Sequence, residues 1–333
     1  MAITGPASYL PTMNEFTAHW AQCNAALGPQ PLVVRRPDNN TAVTREQFTG
    51  LGAQLRHRQQ NVQGLLMDQT IARGEIDLKK NALLKFLNLF INVLNGYYIN
   101  TEFEEARPYA PSITDGQEAF LRPMLDAVNL WTEMNEGPAP AGVTLPLILR
   151  DDTTQEDFAG KVAALEAAYR EEQRSALHVS LGRGRRNLLQ RAAYEILKAY
   201  REAVPGICVE FPALVNTLPR LTPLPGHTPA PVPAQAVFEA PDQARILYEL
   251  SAEPAIKSYQ LRGNIGEKYD GQDAVVLATH EPNDAREFVT NFGLSQPGAQ
   301  VALKVFVILE TGNEAGGQAM VVTRPANEPL PAA

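Results

Sequence analysis

Thr44-Arg-Glu-Gln-Phe48 and Thr154-Gln-Glu-Asp-Phe158 decide the reading of this chain, because each opens a long helical pattern at the same place in a repeated order. Ahead of the first lie an amphipathic segment around Phe16 and Trp20 and the piece Pro31-Leu-Val-Val-Arg35; beyond it the pattern reaches Asn81-Ala-Leu-Leu84. The second has a segment around Leu125, Val128 and Trp131, then Pro146-Leu-Ile-Leu-Arg150, and runs to Asn187-Leu-Leu189. A fixed order over about a hundred residues marks an internal duplication.

Thr44-x-x-Gln47 is a capping box, and no proline follows until Pro108. A helix is therefore expected from about 45 to 99, a rod of roughly 80 Å at ~1.5 Å per residue, with Gly64 and Gly74 as possible bends. A first helix is expected from Thr12, where Thr12-x-x-Glu15 makes another box, to Gly28. Residues 29–43 read as a loop with the extended piece Leu32–Arg35 and a turn at Asp38-Asn-Asn40. The second copy predicts a helix over 114–135, an irregular Gly/Pro stretch over 136–146, and a long helix over 154–204 stopped by Pro205-Gly206. The expected architecture is an elongated antiparallel bundle over 1–218, with repeats at about 8–100 and 112–205.

The last turns of the first long helix carry two apolar stripes. Leu83, Leu84, Leu87, Phe90, Ile91, Leu94 and Tyr98 form one; Phe86, Leu89, Val93 and Tyr97 form the other. A helix apolar over most of its circumference has to be covered on several sides. Burial within the bundle and contact with another subunit both meet that need, which makes Phe86, Leu89, Val93 and Tyr97 the candidate interface. The segment Leu83–Ile99 also holds Lys85, Asn88, Asn92 and Asn95, and is too short and too polar to span a bilayer.

Prolines at 219, 223, 225, 229, 231 and 233 read as a stiff linker over 219–233. After it come short β runs: 236–240, 244–250, 257–262, 274–278, 287–292, 301–309 and 318–323. Their number and spacing predict a β-sandwich over 234–325, with a tail at 326–333. Leu294-Ser-Gln-Pro-Gly298, then Val301-Ala-Leu-Lys-Val-Phe-Val and Asn313-Glu-Ala-Gly316, resemble the fibronectin type III pattern over roughly 229–325. The resemblance is divergent: Val301 stands where that family usually has a corner tyrosine, and Tyr248 stands near the place of its strand-B tryptophan. No Arg-Gly-Asp loop is present, so the resemblance implies no cell-adhesion role. The helical part is similar to uncharacterised bacterial proteins in which a Pro-Leu-x-Leu piece precedes a Thr-x-x-x-Phe helix start, a resemblance that implies no activity.

A net charge of −8 argues against a generic binder of nucleic acid or anionic membrane. The amino terminus has neither a basic start nor an apolar core, which together with Cys23 and Cys208 read as reduced buried thiols leads to a cytoplasmic expectation. The sequon at Asn39 has no weight without a secretory route. Leu181-Gly-Arg-Gly-Arg-Arg-Asn187 is the one compact basic cluster. It lacks the Gly-Lys-Ser/Thr ending of a phosphate loop, and its counterpart Arg73–Lys80 is also polar and glycine-containing, so it reads as a polar helix waist. Arg183, Arg185 and Arg186 remain a weak candidate anion contact. Adjacent acidic pairs such as Glu104-Glu105 diverge on a helix, and the five histidines are scattered. No metal, cofactor or catalytic set is expected. Trp20 and Trp131 read as equivalent core anchors.

The resulting expectation is a non-enzymatic structural or interaction protein that assembles with itself into an oligomer, filament, layer or particle. The alternative is an adaptor whose sandwich binds another protein or a glycan while the helices act as a spacer.

Overall fold

A computed structural model describes residues 2–36 and 40–326. Asp38 and Asn39 of the expected turn, the sequon at Asn39 and tail residues 327–333 lie outside the described residues.

Helix α1 (Tyr9–Leu27) begins before the expected Thr12. Ser8 is the reason: its hydroxyl accepts the Thr4 and Gly5 amides at 2.9 and 3.1 Å and donates to the Gly5 carbonyl at 2.7 Å. This closes a 3-10 turn over Pro6–Ser8 that runs into the helix. Pro11 is tolerated in the first turn, where amides have no helical acceptor. Gly28 ends α1 at φ 69, a conformation glycine adopts without a Cβ penalty. Strands β1 (Val34–Arg35) and β2 (Ala42–Val43) then pair antiparallel.

The two long helices, α2 (Arg45–Tyr97) and α5 (Gln155–Ile207), are each 53 residues and run unbroken through their glycines. Between them lie α3 (Glu102–Glu105) and α4 (Gln117–Glu136). Both long helices start with reciprocal caps. The Thr44 amide donates to Gln47 Oε1 at 2.9 Å, and the Gln47 amide to Thr44 Oγ1 at 3.3 Å. Thr154 and Asp157 do the same, at 3.1 Å each way, and the Thr154 hydrogen bonds hold the Asp157 carboxyl below its ordinary pKa. Contrary to expectation, α5 continues past Pro205. So near the end a proline removes one helical bond, and the Cys208 amide still reaches the Val204 carbonyl at 2.8 Å.

The chain forms two compact units: Met1–Met67 with Val179–Ala333, and Asp68–His178. In the first, Trp20 lies against Phe48 and Tyr200, with ring centroids 5.9 and 4.8 Å away. Its indole N–H donates to the Leu32 carbonyl at 3.0 Å, and Asn24 Oδ1 accepts the Leu32 amide at 2.9 Å. In the second, Trp131 lies against Phe158 and Phe90, at 6.1 and 5.0 Å. Its N–H donates to Leu147 at 3.3 Å, and Asn135 accepts the Leu147 amide at 2.7 Å. Phe90 and Tyr200 stand equally far from the first residues of their helices. Each cap therefore combines the short helix and long-helix start of one copy with the long-helix end of the other.

These units do not follow the expected boundaries at 218 and 234. The segment 219–233 is no free linker: Leu221 and Val232 are buried, the Ile3 amide donates to Leu221, and the Leu224 amide donates to Thr311. After the short helix α6 (Pro212–Asn216), the sandwich and the Trp20 cap belong to one compact unit.

Eight strands make the sandwich: β3 (Ala234–Glu239), β4 (Gln243–Tyr248), β5 (Ile256–Ile265), β6 (Val275–His280), β7 (Glu287–Thr290), β8 (Gln300–Leu309), β9 (Glu314–Gly316) and β10 (Met320–Thr323). One antiparallel sheet has the order β3-β4-β7; the other runs β10-β8-β5-β6, with β9 also on β8. This two-sheet order is a fibronectin type III-like sandwich. The last expected strand, 318–323, begins only at Met320, after Gly317 has turned its amide to the Val305 carbonyl at 2.8 Å. Alternating residues Leu261, Leu303, Val305 and Val307 fill the core beside Ile246, Tyr248 and Phe288. Val301 packs there too, 2.6 Å from where a Cβ on Gly293 would sit. At φ 67, Gly293 leaves no room for any side chain.

Candidate interaction surface

The basic cluster of α5 has an anion within its own chain. Asp273, in the turn before β6, receives Arg183 Nε at 3.0 and 3.1 Å and Arg186 Nη1 at 3.0 Å. The Asp273 and Arg186 side chains are 1% and 3% exposed, so the pair is desolvated and each charge needs the other. The hydrogen bonds to Asp273 raise the Arg183 pKa above its ordinary value. Gln63 completes the lock, donating to the Asp273 carbonyl at 2.6 Å and accepting the Ile265 amide at 3.2 Å. Two of the three arginines expected to meet an outside anion thus hold the sandwich to the helices. Arg185 points elsewhere, into a groove of about 520 Å³ with His57, Arg58, Gln54 and Leu188.

The two apolar stripes of α2 differ in burial. Leu83, Leu87, Phe90, Leu94 and Tyr98 are buried in the Trp131 cap, while Phe86, Leu89 and Val93 are half-buried against it. The Lys161 ammonium lies 5.1 Å from the Phe86 ring. Of the four candidates, Tyr97 alone is exposed.

Exposed aliphatic residues also flank the glycines of the two waists. Ile71 and Leu78 on α2 are 52% and 72% exposed; Leu181 and Leu188 on α5 are 51% and 64% exposed. Each pair is two helical turns apart and therefore on one face. The pairs occupy equivalent positions in the two copies, and between them sit Gly74 and Gly184, each with open space where a Cβ would point. Glu75 follows the first glycine, Arg185 the second. The polar waist residues are otherwise structural. Buried Lys80 donates to the Ile113 and Asp115 carbonyls at 2.8 and 2.7 Å, and its counterpart Gln190 to Pro6 at 3.3 Å. The waists are expected as polar, glycine-containing stretches; the sequence signal for the exposed pairs is the seven-residue aliphatic spacing repeated in both copies.

The Trp20 cap also holds a buried polar group. His19 Nδ1 meets the Tyr200 hydroxyl at 2.7 Å, His19 Nε2 meets the Leu214 carbonyl at 2.8 Å, and the Tyr200 hydroxyl donates to Cys23 Sγ at 3.4 Å. Burial and the adjoining Cys23 push the Cys208 thiol up to about 11, and burial raises Tyr200. A thiol held protonated in this way is a poor nucleophile. The His19-x-x-x-Cys23 spacing, which puts both side chains on one face of α1, is the sequence signal for this group. Among the described residues no group of three His, Cys, Asp or Glu side chains is placed to hold a metal ion, and no helix is long and apolar enough to cross a membrane. A cleft of about 610 Å³ lies between Leu10, Asn14, Arg56, Gln60, Val276 and Phe292.

No family model matches the chain, and no curated protein matches it. Similar solved structures include pectate lyase PelI from Erwinia chrysanthemi in complex with tetragalacturonic acid, at 13% identity and a TM-score of 0.24 over 28% of each chain. The spore cortex lytic enzyme SleM of Clostridium perfringens is 13% identical, with a TM-score of 0.23 over 31% of this chain and 29% of that one. An Fn3-like protein from Clostridium thermocellum is 16% identical, with a TM-score of 0.24 over 31% of this chain and all of that one. The chain spans 28% of the length of the pectate lyase. The expectation that the chain is no enzyme is corrected by this finding, since two of these similar structures are enzymes by name. Likeness at these TM-scores assigns no activity; the sandwich assignment rests on the strand order.

Proposed function

We propose that this chain is an interaction protein that associates with further copies of itself, as a subunit of an oligomer, filament, layer or particle. The observation that supports the reading is the duplicated exposed pair, Ile71 with Leu78 and Leu181 with Leu188. Single exposed aliphatics are ordinary on protein surfaces. Two pairs at the same spacing around an open glycine, in both repeats, form a patterned surface of the kind a partner helix covers. Burying one leucine side chain stabilises an association by about 1.5–3 kcal/mol before ordering costs are subtracted. The test is light scattering after size exclusion on the full chain and on Leu78→Ser/Leu188→Ser. The wild-type mass should exceed the variant's at equal concentration while both melt alike. Equal masses would reject the reading.

A second reading is an adaptor that holds a glycan in the 610 Å³ cleft, whose wall presents the amides of Asn14 and Gln60 and the Arg56 guanidinium beside apolar Leu10 and Phe292. Polar groups of that kind among apolar walls suit a small polar ligand. Binding of an oligosaccharide panel that Gln60→Ala abolishes would support it; no binding across the panel would reject it.

A further inference from the structure

We infer that the two waist stripes are the complementary halves of one contact, so that copies associate head to tail. The Leu181–Leu188 stripe of one copy lies on the Ile71–Leu78 stripe of the next. The inference rests on the self-association reading above and says which surfaces meet.

The apolar parts of the stripes are alike: an aliphatic pair two turns apart with a glycine between, exposed in each case. Their charges are opposed. On α2, Asp68 and Glu75 lie along the face of Ile71 and Leu78; at the equivalent positions on α5 stand His178 and Arg185, and Arg191 stands where α2 has Asn81. All six are exposed. Glu75 and Arg185 each occupy the middle of a stripe, so they meet whether the helices run parallel or antiparallel. Arg58 and His57, on the groove wall beside Arg185, add to the positive side.

A stripe laid on its own kind would oppose Arg185 to Arg185 or Glu75 to Glu75, and like charges at close range oppose association. Pairing unlike stripes buries the same aliphatic surface and matches the charges. Both halves are present on this chain, so the occupant it fits is a second copy. Glu75 also lies 3.6 Å from Lys79 in an exposed i,i+4 pair, an interaction too weak to hold it from a better partner. A contact between two different surfaces of identical chains propagates, closing as a ring or extending as a filament.

Charge reversal tests the assignment. Glu75→Arg puts an arginine at the centre of both stripes and Arg185→Glu puts a glutamate at the centre of both. Each should weaken self-association by about tenfold at low salt. An equimolar mixture of the two variants, and the double variant Glu75→Arg/Arg185→Glu, should regain the wild-type assembly by sedimentation velocity. Circular dichroism and melting should be unchanged in all of them, because both side chains are exposed. If the wild type associates and the reversals leave it unaffected, or weaken it without rescue in the mixture, this pairing is wrong and the self-association reading survives. A wild type that is monomeric throughout overturns both.

Discussion

Where the Trp131 cap places Leu130, Met134 and Phe90, the Trp20 cap places His19, Cys23 and Tyr200 in the same frame of helix starts and indole hydrogen bonds. One cap is packed almost entirely from apolar side chains. The other carries a buried polar group, and its unit includes the sandwich. The difference teaches that the frame is set by the repeated parts: the tryptophan, the asparagine that accepts the leucine amide of the following Pro-Leu piece, and the reciprocal helix caps. The positions between them are free to diverge, and where the Trp20 cap takes up a buried imidazole, His19 uses both ring nitrogens.

The strongest challenge to this comparison is removal of the shared anchors. Trp20→Ala and Trp131→Ala should each destabilise by about 3–5 kcal/mol, read by urea unfolding, and each should unfold its own unit first. If only one of them mattered, the caps would not be built alike. The next effect belongs to the first unit alone. Asp273→Ala leaves Arg186 buried without its counter-charge, so a loss of about 3 kcal/mol is expected in a denaturant titration. Deleting 226–333 strands the same arginine and should lower the melting temperature of the helices that remain; an unchanged melt would show that Asp273 is dispensable.

That last point marks the limit of what the sequence made legible. The duplication could be read because its signals are local: Thr44 with Gln47, Thr154 with Asp157, and a tryptophan ahead of each Pro-Leu piece. The Arg183–Asp273 lock joins residues far apart in the chain, and an aspartate in a turn carries no mark of its partner. The dense apolar run at Leu83–Tyr98 drew attention to Phe86, Leu89 and Val93, which turn out to be half-buried against their own cap. Ile71, Leu78, Leu181 and Leu188 were overlooked because charged neighbours surround them, though their spacing is the same in both copies.

Smaller substitutions sharpen the comparison further. His19→Leu gives the Trp20 cap the residue found in its counterpart, but leaves Tyr200 and the Leu214 carbonyl without that partner. A loss of about 1–2 kcal/mol by chemical unfolding is expected, where a purely apolar cap would gain. Thr44→Ala and Thr154→Ala should each cost about 1 kcal/mol, and near-equal shifts in melting temperature would confirm that the two helix starts are equivalent.

Self-association is tested most directly by sedimentation of the full chain across a wide concentration range. The mass should rise with concentration above the 36.4 kDa of one chain toward a defined oligomer or a growing series. A single species of 36.4 kDa at every concentration would contradict it.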